Sequence, residues 1–188
     1  MLNDTSSYLA ALATRRSGKP RDLGEPGPSA AELDRMIAVA ARTPDHGKIA
    51  PWRFVIVEDR VRFAGLLADT WAADHPGAPA HELETARAFA LQAPALVVVL
   101  SAPVHGHKVP VWEQELSAGA AAMNLLHAAH ASGYAAGWLT GWAAFSPQVR
   151  DAFGTPDQRI VGFVFIGTPT RPLDERPRPD VGAIVSRW

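Results

Sequence analysis

The chain has 188 residues, with 18 Lys and Arg against 19 Asp and Glu, a net charge of −1 with neutral histidines. Near-neutrality removes the field that would draw it to nucleic acid or a membrane surface, and 47% hydrophobic with 20% charged residues is a globular composition, not a disordered one. The absence of cysteine excludes a disulfide scaffold, a thiol nucleophile and any thiolate metal site. At this length roughly 70% of the unfolded surface can be buried without such staples. We therefore expect a single soluble domain spanning residues 1–188, working in the cytoplasm. The opening MLNDTSSYLA lacks the basic start and apolar core of a signal peptide. Leu116 to Val149 carries no Asp, Glu, Lys or Arg, but its polar residues, glycines and proline interrupt any membrane-spanning run.

In chain order, residues 5–16 can form a helix with Tyr8, Leu9 and Leu12 on one side, running into Arg15-Arg16-Ser17. Gly18 to Pro28 reads as a Pro/Gly loop. Ser29 and Glu32 make a capping box for a helix bearing Leu33, Met36, Ile37 and Ala40, which stops before Pro44. Thr43 to Pro51 is irregular, and Trp52–Val57 is dense enough in aromatic and β-branched residues for a strand. Helices near 61–73 and 81–92 follow, separated by a His-Pro-Gly break. Ala95–Leu100 (ALVVVL) reads as a strand buried on both faces. Pro110 belongs in the first turn of a long helix ending near Gly133. Tyr134–Thr140 and Ile160–Ile166 are two more strands, with a short helix between Ser146 and Gly154. Four strands with interspersed helices predict mixed α and β around one core. Thr168–Asp180 holds four prolines and three arginines, so it either wanders or wraps something.

Three features could carry chemistry. Arginines cluster at Arg15-Arg16, at Arg42 and at Arg176-Pro-Arg178, and guanidinium forks bind phosphate bidentately; paired arginines are also commonly plain solvated surface. The long helix contains Ser-Ala-Gly-Ala-Ala-Ala (117–122), small residues that admit a backbone or a flat ring, or simply pack a tight core. His105-x-His107 and His127-x-x-His130 have metal-like spacing without a clear carboxylate partner, and packed histidines are the commoner reading. No hydrolase elbow, phosphate loop or dinucleotide fingerprint is present.

Taken together, Arg15-Arg16-Ser17, Arg42-Thr-Pro-Asp-His46 with Pro51-Trp52, the stretch HKVPVWEQELSAG (107–119), Gly137-Trp-Leu-Thr-Gly141 and IVGFVFIGTP (160–169) resemble a small branch of the FMN-dependent nitroreductase family. The matches are collinear over nearly the whole chain. The resemblance implies an α+β, nitroreductase-like fold: a central, mostly antiparallel sheet flanked by helices, with an extended C-terminal tail (168–188) wrapping the dimer partner. It further implies a homodimer with two FMN sites at the subunit interface. Arg15, Arg16 and Ser17 would contact the flavin's ribityl-phosphate and ring edge, and Arg42 and His46 a flavin from the other subunit. Trp138, Leu139 and Thr140 would line the ring, and Arg176 and Arg178 would close on the phosphate. Ala128, Ala129, His130, Ala131, Ser132 and Gly133 align with a segment assigned to NAD(P) binding. The branch often has arginine after the tryptophan where this chain has Leu139, so one cationic contact is missing or supplied elsewhere.

The implied activity is hydride transfer from NADH or NADPH, through FMN, to nitroaromatic or quinone-like acceptors in a two-step (ping-pong) cycle, with no side chain acting as nucleophile. Arg16 is the candidate to stabilise the reduced ring. The alternatives are a flavin-binding protein or flavin enzyme of different chemistry, and a metal or binding protein built on the histidines.

Overall fold

A computed structural model describes residues 2–188. Its centre is strand β5 (Arg159–Pro169), long enough to pair with three others. On one side runs β3 (Ala95–Ser101), followed outward by β2 (Trp52–Ile56). β4 (Ala135–Leu139) also pairs with β5, and a two-residue β1 (Leu23–Gly24) joins its last residues. All of these pairings are antiparallel.

The alternation of side chains along a strand divides the core in two. Ala95, Val97 and Val99 of β3 face a layer built on helices α2 (Ala30–Ala40) and α5 (Val111–Ala131). Leu96, Val98 and Leu100 face the other way, toward α3 (Arg60–Asp74), α4 (Ala80–Leu91) and α6 (Pro147–Phe153). All seven β3 residues are buried, as a central strand covered on both faces requires. The Ser29–Glu32 capping box forms at the start of α2, and Gly77, at φ +86°, makes the turn between α3 and α4. Arg60 donates to the carbonyls of Ala90 at 2.6 Å and Gln92 at 2.5 Å, lashing the start of α3 to the end of α4. Burial holds its guanidinium down at about 10.

Several boundaries differ from the sequence reading. The first helix, α1, covers only Tyr8–Thr14, because Arg15 is already extended and leads the chain along β4. Pro110 immediately precedes α5 instead of lying within its first turn. A fifth strand, β1, appears inside the expected Gly18–Pro28 loop, and β5 runs on to Pro169. The two extensions make each other: Leu23 pairs with Pro169 and Gly24 with Thr168. Beyond β5 the chain is irregular until a four-residue helix, α7 (Val181–Ile184).

Candidate functional site

The Arg15–Gly18 segment is held from three directions. The Asn3 side chain donates to Arg16 O at 3.2 Å and accepts from Arg16 N at 2.6 Å. Gly18 N donates to Ala136 O in β4 at 3.1 Å, and a Cβ on Gly137 would approach Gly18 O to 2.5 Å, so only glycine lets the segment lie this close. The N–H of Ala136 in turn donates to Nε2 of His130, near the end of α5, at 3.3 Å. The free edge of β4 thus positions Ser17 and the two arginines before it.

The C-terminal tail returns over the same segment. Thr170 bonds Asp22 O through both its N–H and its hydroxyl, and Arg171 pairs with the buried Asp22 carboxylate at 3.0 Å. Arg16 Nε donates to Asp174 O at 2.6 Å, and Arg178 Nη2 to Arg15 O at 3.4 Å. Arg15 donates to Ser17 Oγ at 3.1 Å. Burial first, then the charges of Arg178, Arg16 and Arg176, push the Arg15 guanidinium below its usual range, with Glu175 alone opposing them. Arginines remote in sequence therefore meet in one place. On α5, burial and the nearby Arg15 charge lower His127 and hold His130 down at about 4, so neither carries a proton charge at neutral pH. With Nε2 accepting, the His130 proton sits on Nδ1, which is buried without a hydrogen-bond partner.

A cavity of about 360 Å³ opens between this segment and β4. Arg16, Ser17 and Gly18 form one wall and Trp138 with Leu139 the other, with Lys19 and Arg21 also at its edge. Trp138 is fixed by donation from its indole N–H to Val161 O at 3.0 Å, and a Cβ on Gly162 would collide with that ring. Leu139 packs into the apolar cluster that includes Trp71 and Trp142, which gives the leucine a packing role. Thr140 lies exposed just past the strand.

Other expected site residues lie elsewhere. Arg42 is exposed beyond α2, and His46 Nδ1 sits 2.9 Å from Glu113 Oε2 in the first turn of α5. That ring is about 20 Å along α5 from His127 and its neighbour Arg15, at 1.5 Å per residue. Ser117 and Asn124 hold the intervening Thr43-Pro44 against the same helix. Ala128 and Ala129 are buried in the α5 core face, whereas Ala131, Ser132 and Gly133 are exposed. His130 and Gly133 border a separate cavity of about 430 Å³ closed by Asn3, Tyr134 and Leu173. Among the described residues no three His, Asp or Glu side chains gather as a metal site.

Sequence reasoning missed Lys19 and Arg21, which the charge density of Arg-Arg-Ser-Gly-Lys-Pro-Arg could have brought forward. It also missed Asp174 and Glu175, for which no local signal exists. None of the described helices is long and apolar enough to cross a membrane.

Comparison with known proteins converges on one family. The model of the Nitroreductase family matches residues 12–168. An Escherichia coli (strain K12) protein provisionally named NAD(P)H nitroreductase YdjA is 38% identical over 164 residues, covering 86% of this chain and 87% of that one. A nitroreductase-like protein from Bacillus cereus superposes with a TM-score of 0.84 at 19% identity, over 97% of this chain and 96% of the other. The NADPH:FMN oxidoreductase of Vibrio harveyi, solved with NAD+, superposes with a TM-score of 0.71 at 16% identity, over 92% of this chain and 73% of its own. These two likenesses carry the fold: an antiparallel sheet between helical layers, as found here. The chain belongs to the nitroreductase family, a family of oxidoreductases.

Proposed function

We propose that the chain is a cytoplasmic FMN-dependent oxidoreductase carrying hydride from NADH or NADPH to nitroaromatic or quinone-like acceptors, one FMN-binding domain per copy of a homodimer. The observation that carries this reading is the charge around Arg15: Arg16, Arg176 and Arg178 all act on it, and one carboxylate opposes them. A cluster of that composition suits a multiply charged anion, and a flavin phosphate is one with the oxygen geometry guanidinium groups favour. The adjoining cavity, walled by Trp138 and Leu139, offers an apolar surface for a flat ring. The names of the relatives point the same way, the Escherichia coli protein to NAD(P)H and the Vibrio harveyi enzyme to FMN.

When bound, FMN supplies the hydride chemistry in two half-reactions, first with NAD(P)H and then with the acceptor. The residues of this chain bind and orient. Arg15, Arg176 and Arg178 hold the phosphate, and Ser17 adds a neutral hydrogen bond. Arg16 and Lys19 keep positive charge beside the cavity, favouring the electron-rich state of a ring held there. Ala131, Ser132 and Gly133, exposed at the end of α5, meet the nicotinamide nucleotide, since the side chains of Ala128 and Ala129 belong to the core.

Arg42 and His46 act on the flavin of a second copy. In one chain they lie far along α5 from Arg15, and a two-fold relation brings each copy's His46 end to the other's Arg15 end. The outward side of α5, with Trp112 and Leu116 exposed, supplies the apolar surface such a pairing needs. The test is turnover: the purified protein with NADH or NADPH and a quinone should oxidise the nicotinamide only when the acceptor is present. Bound flavin without acceptor-dependent turnover would move the assignment to a flavin carrier, and bound zinc without flavin to the histidines.

A further inference from the structure

The cations around Arg15 already share one anion. A single oxygen of Glu175, Oε1, accepts from the Arg176 N–H at 2.8 Å and from Arg178 Nη2 at 2.9 Å, and lies 3.9 Å from Arg16 Nε. One backbone N–H and one guanidinium donating to a single oxygen, with a second guanidinium's charge close by, also suit a phosphate oxygen. On the reading that this cluster holds the FMN phosphate, we propose that Glu175 is its resident counter-ion: a carboxylate that gathers the arginines before the ligand arrives and that the phosphate displaces.

The exchange needs little motion. The tail backbone stays attached through Arg16 Nε on Asp174 O and Arg178 Nη2 on Arg15 O, neither of which uses the Glu175 side chain. That side chain is 54% exposed and can rotate into water. Without an anion the four guanidinium groups repel one another; Glu175 offsets that repulsion by bonding Arg178 and lying close to Arg16, at the cost of competing with the ligand. A phosphate carries about 1.5–2 negative charges and several acceptor oxygens, so it wins this competition at the same donors. Asp174 makes the contrast: among the described residues its carboxylate pairs only with Lys19, at 3.5 Å, and is 79% exposed.

Two measurements on the full chain freed of flavin test the assignment: thermal stability without ligand, and affinity for FMN and for riboflavin, which lacks the phosphate. Glu175→Gln should lower the ligand-free melting temperature and tighten FMN about three- to fivefold, the scale of a half-exposed ion pair, while leaving riboflavin unchanged. Asp174→Asn should do neither. FMN affinity that is unchanged or weaker in Glu175→Gln overturns the proposal. So does equal tightening of riboflavin, or tightening without loss of ligand-free stability, which is ordinary charge repulsion. If the unaltered protein binds no FMN, the cofactor reading itself fails. Inorganic phosphate then reads the counter-ion separately: stabilisation larger in Glu175→Gln than in the parent supports it, and equal or absent stabilisation sinks it.

Discussion

On one face of the sheet, α3 and α4 lie against Leu96, Val98, Leu100, Phe163 and Phe165, and turn Arg62, Asp69, His81 and Glu84 to solvent. On the other, α5 covers Val97, Val99, Val164 and Ile166, yet turns Trp112 and Leu116 outward at 67% and 55% exposure. From Leu116 to the end of that helix there is no charged Asp, Glu, Lys or Arg at all. The first layer exposes Val61 and Leu91 among many charged side chains, whereas on the second Trp112 and Leu116 lead into a stretch of helix with no charged residue, a surface that favours a partner more. The Arg15 and the Arg42–His46 ends of the proposed site both border this second layer, which is where the proposed homodimer would pack its second copy.

The largest effect expected is from a charge on the unfinished face. Leu116→Glu should convert the proposed dimer to a monomer in sedimentation and abolish retained flavin, while the fold persists because the side chain is largely exposed in one chain. A Leu116→Glu protein that stays dimeric with full flavin would remove α5 from the interface. Next comes Arg15→Ala, which should weaken FMN by about 1.5–3 kcal/mol, or roughly 10- to 150-fold, by removing a charge-assisted bond. Ligand-free stability should not fall with it, because burial and three neighbouring arginines already disfavour the Arg15 charge. Equal FMN affinity in variant and parent contradicts the assignment.

The α5 layer also carries a pH dependence, through His130. The folded-state value for His130, about 4, lies below its free value of 6.5. As pH falls the unfolded chain therefore takes up the proton first. Stability is full above pH 6.5 and is lost as pH drops toward 4, by about 2 kcal/mol between pH 7 and pH 5. Urea unfolding at the two pH values should show that loss in the parent and not in His130→Leu; parallel losses would mean that His130 is not the group responsible. The smallest effect should come from the finished face: Leu91→Glu, at an exposed position of α4, should change stability by less than about 0.5 kcal/mol and leave assembly untouched.

What was legible in the sequence was what local physics decides. The Ser29–Glu32 box, the ALVVVL strand and the Ser146–Gly154 helix rest on residues a few positions apart, and all three form. β1 was not legible, because a two-residue strand has no periodicity and exists only through Thr168 and Pro169, more than a hundred residues later. At the site, the arginines stood out as charged pairs, and the family resemblance named them. Glu175 did not, since nothing in Leu-Asp-Glu-Arg-Pro shows that the chain folds back onto Arg16 across 158 residues. The strained segment after His46 was only partly visible. Irregularity was expected from Pro44 and Pro51, but the left-handed backbone at Lys48 and Ala50 depends on contacts such as Ala50 N to Asp45 Oδ2 at 2.7 Å.

Sedimentation of the purified protein, followed at once by protein absorbance and by visible flavin absorbance, tests the central claim most directly. A flavin site built on one chain's cation cluster and completed by a second copy's Arg42 and His46 predicts one boundary at the mass of a dimer, carrying about one FMN per chain. A colourless dimer that takes up no added FMN, or flavin that travels with a monomer, would contradict it.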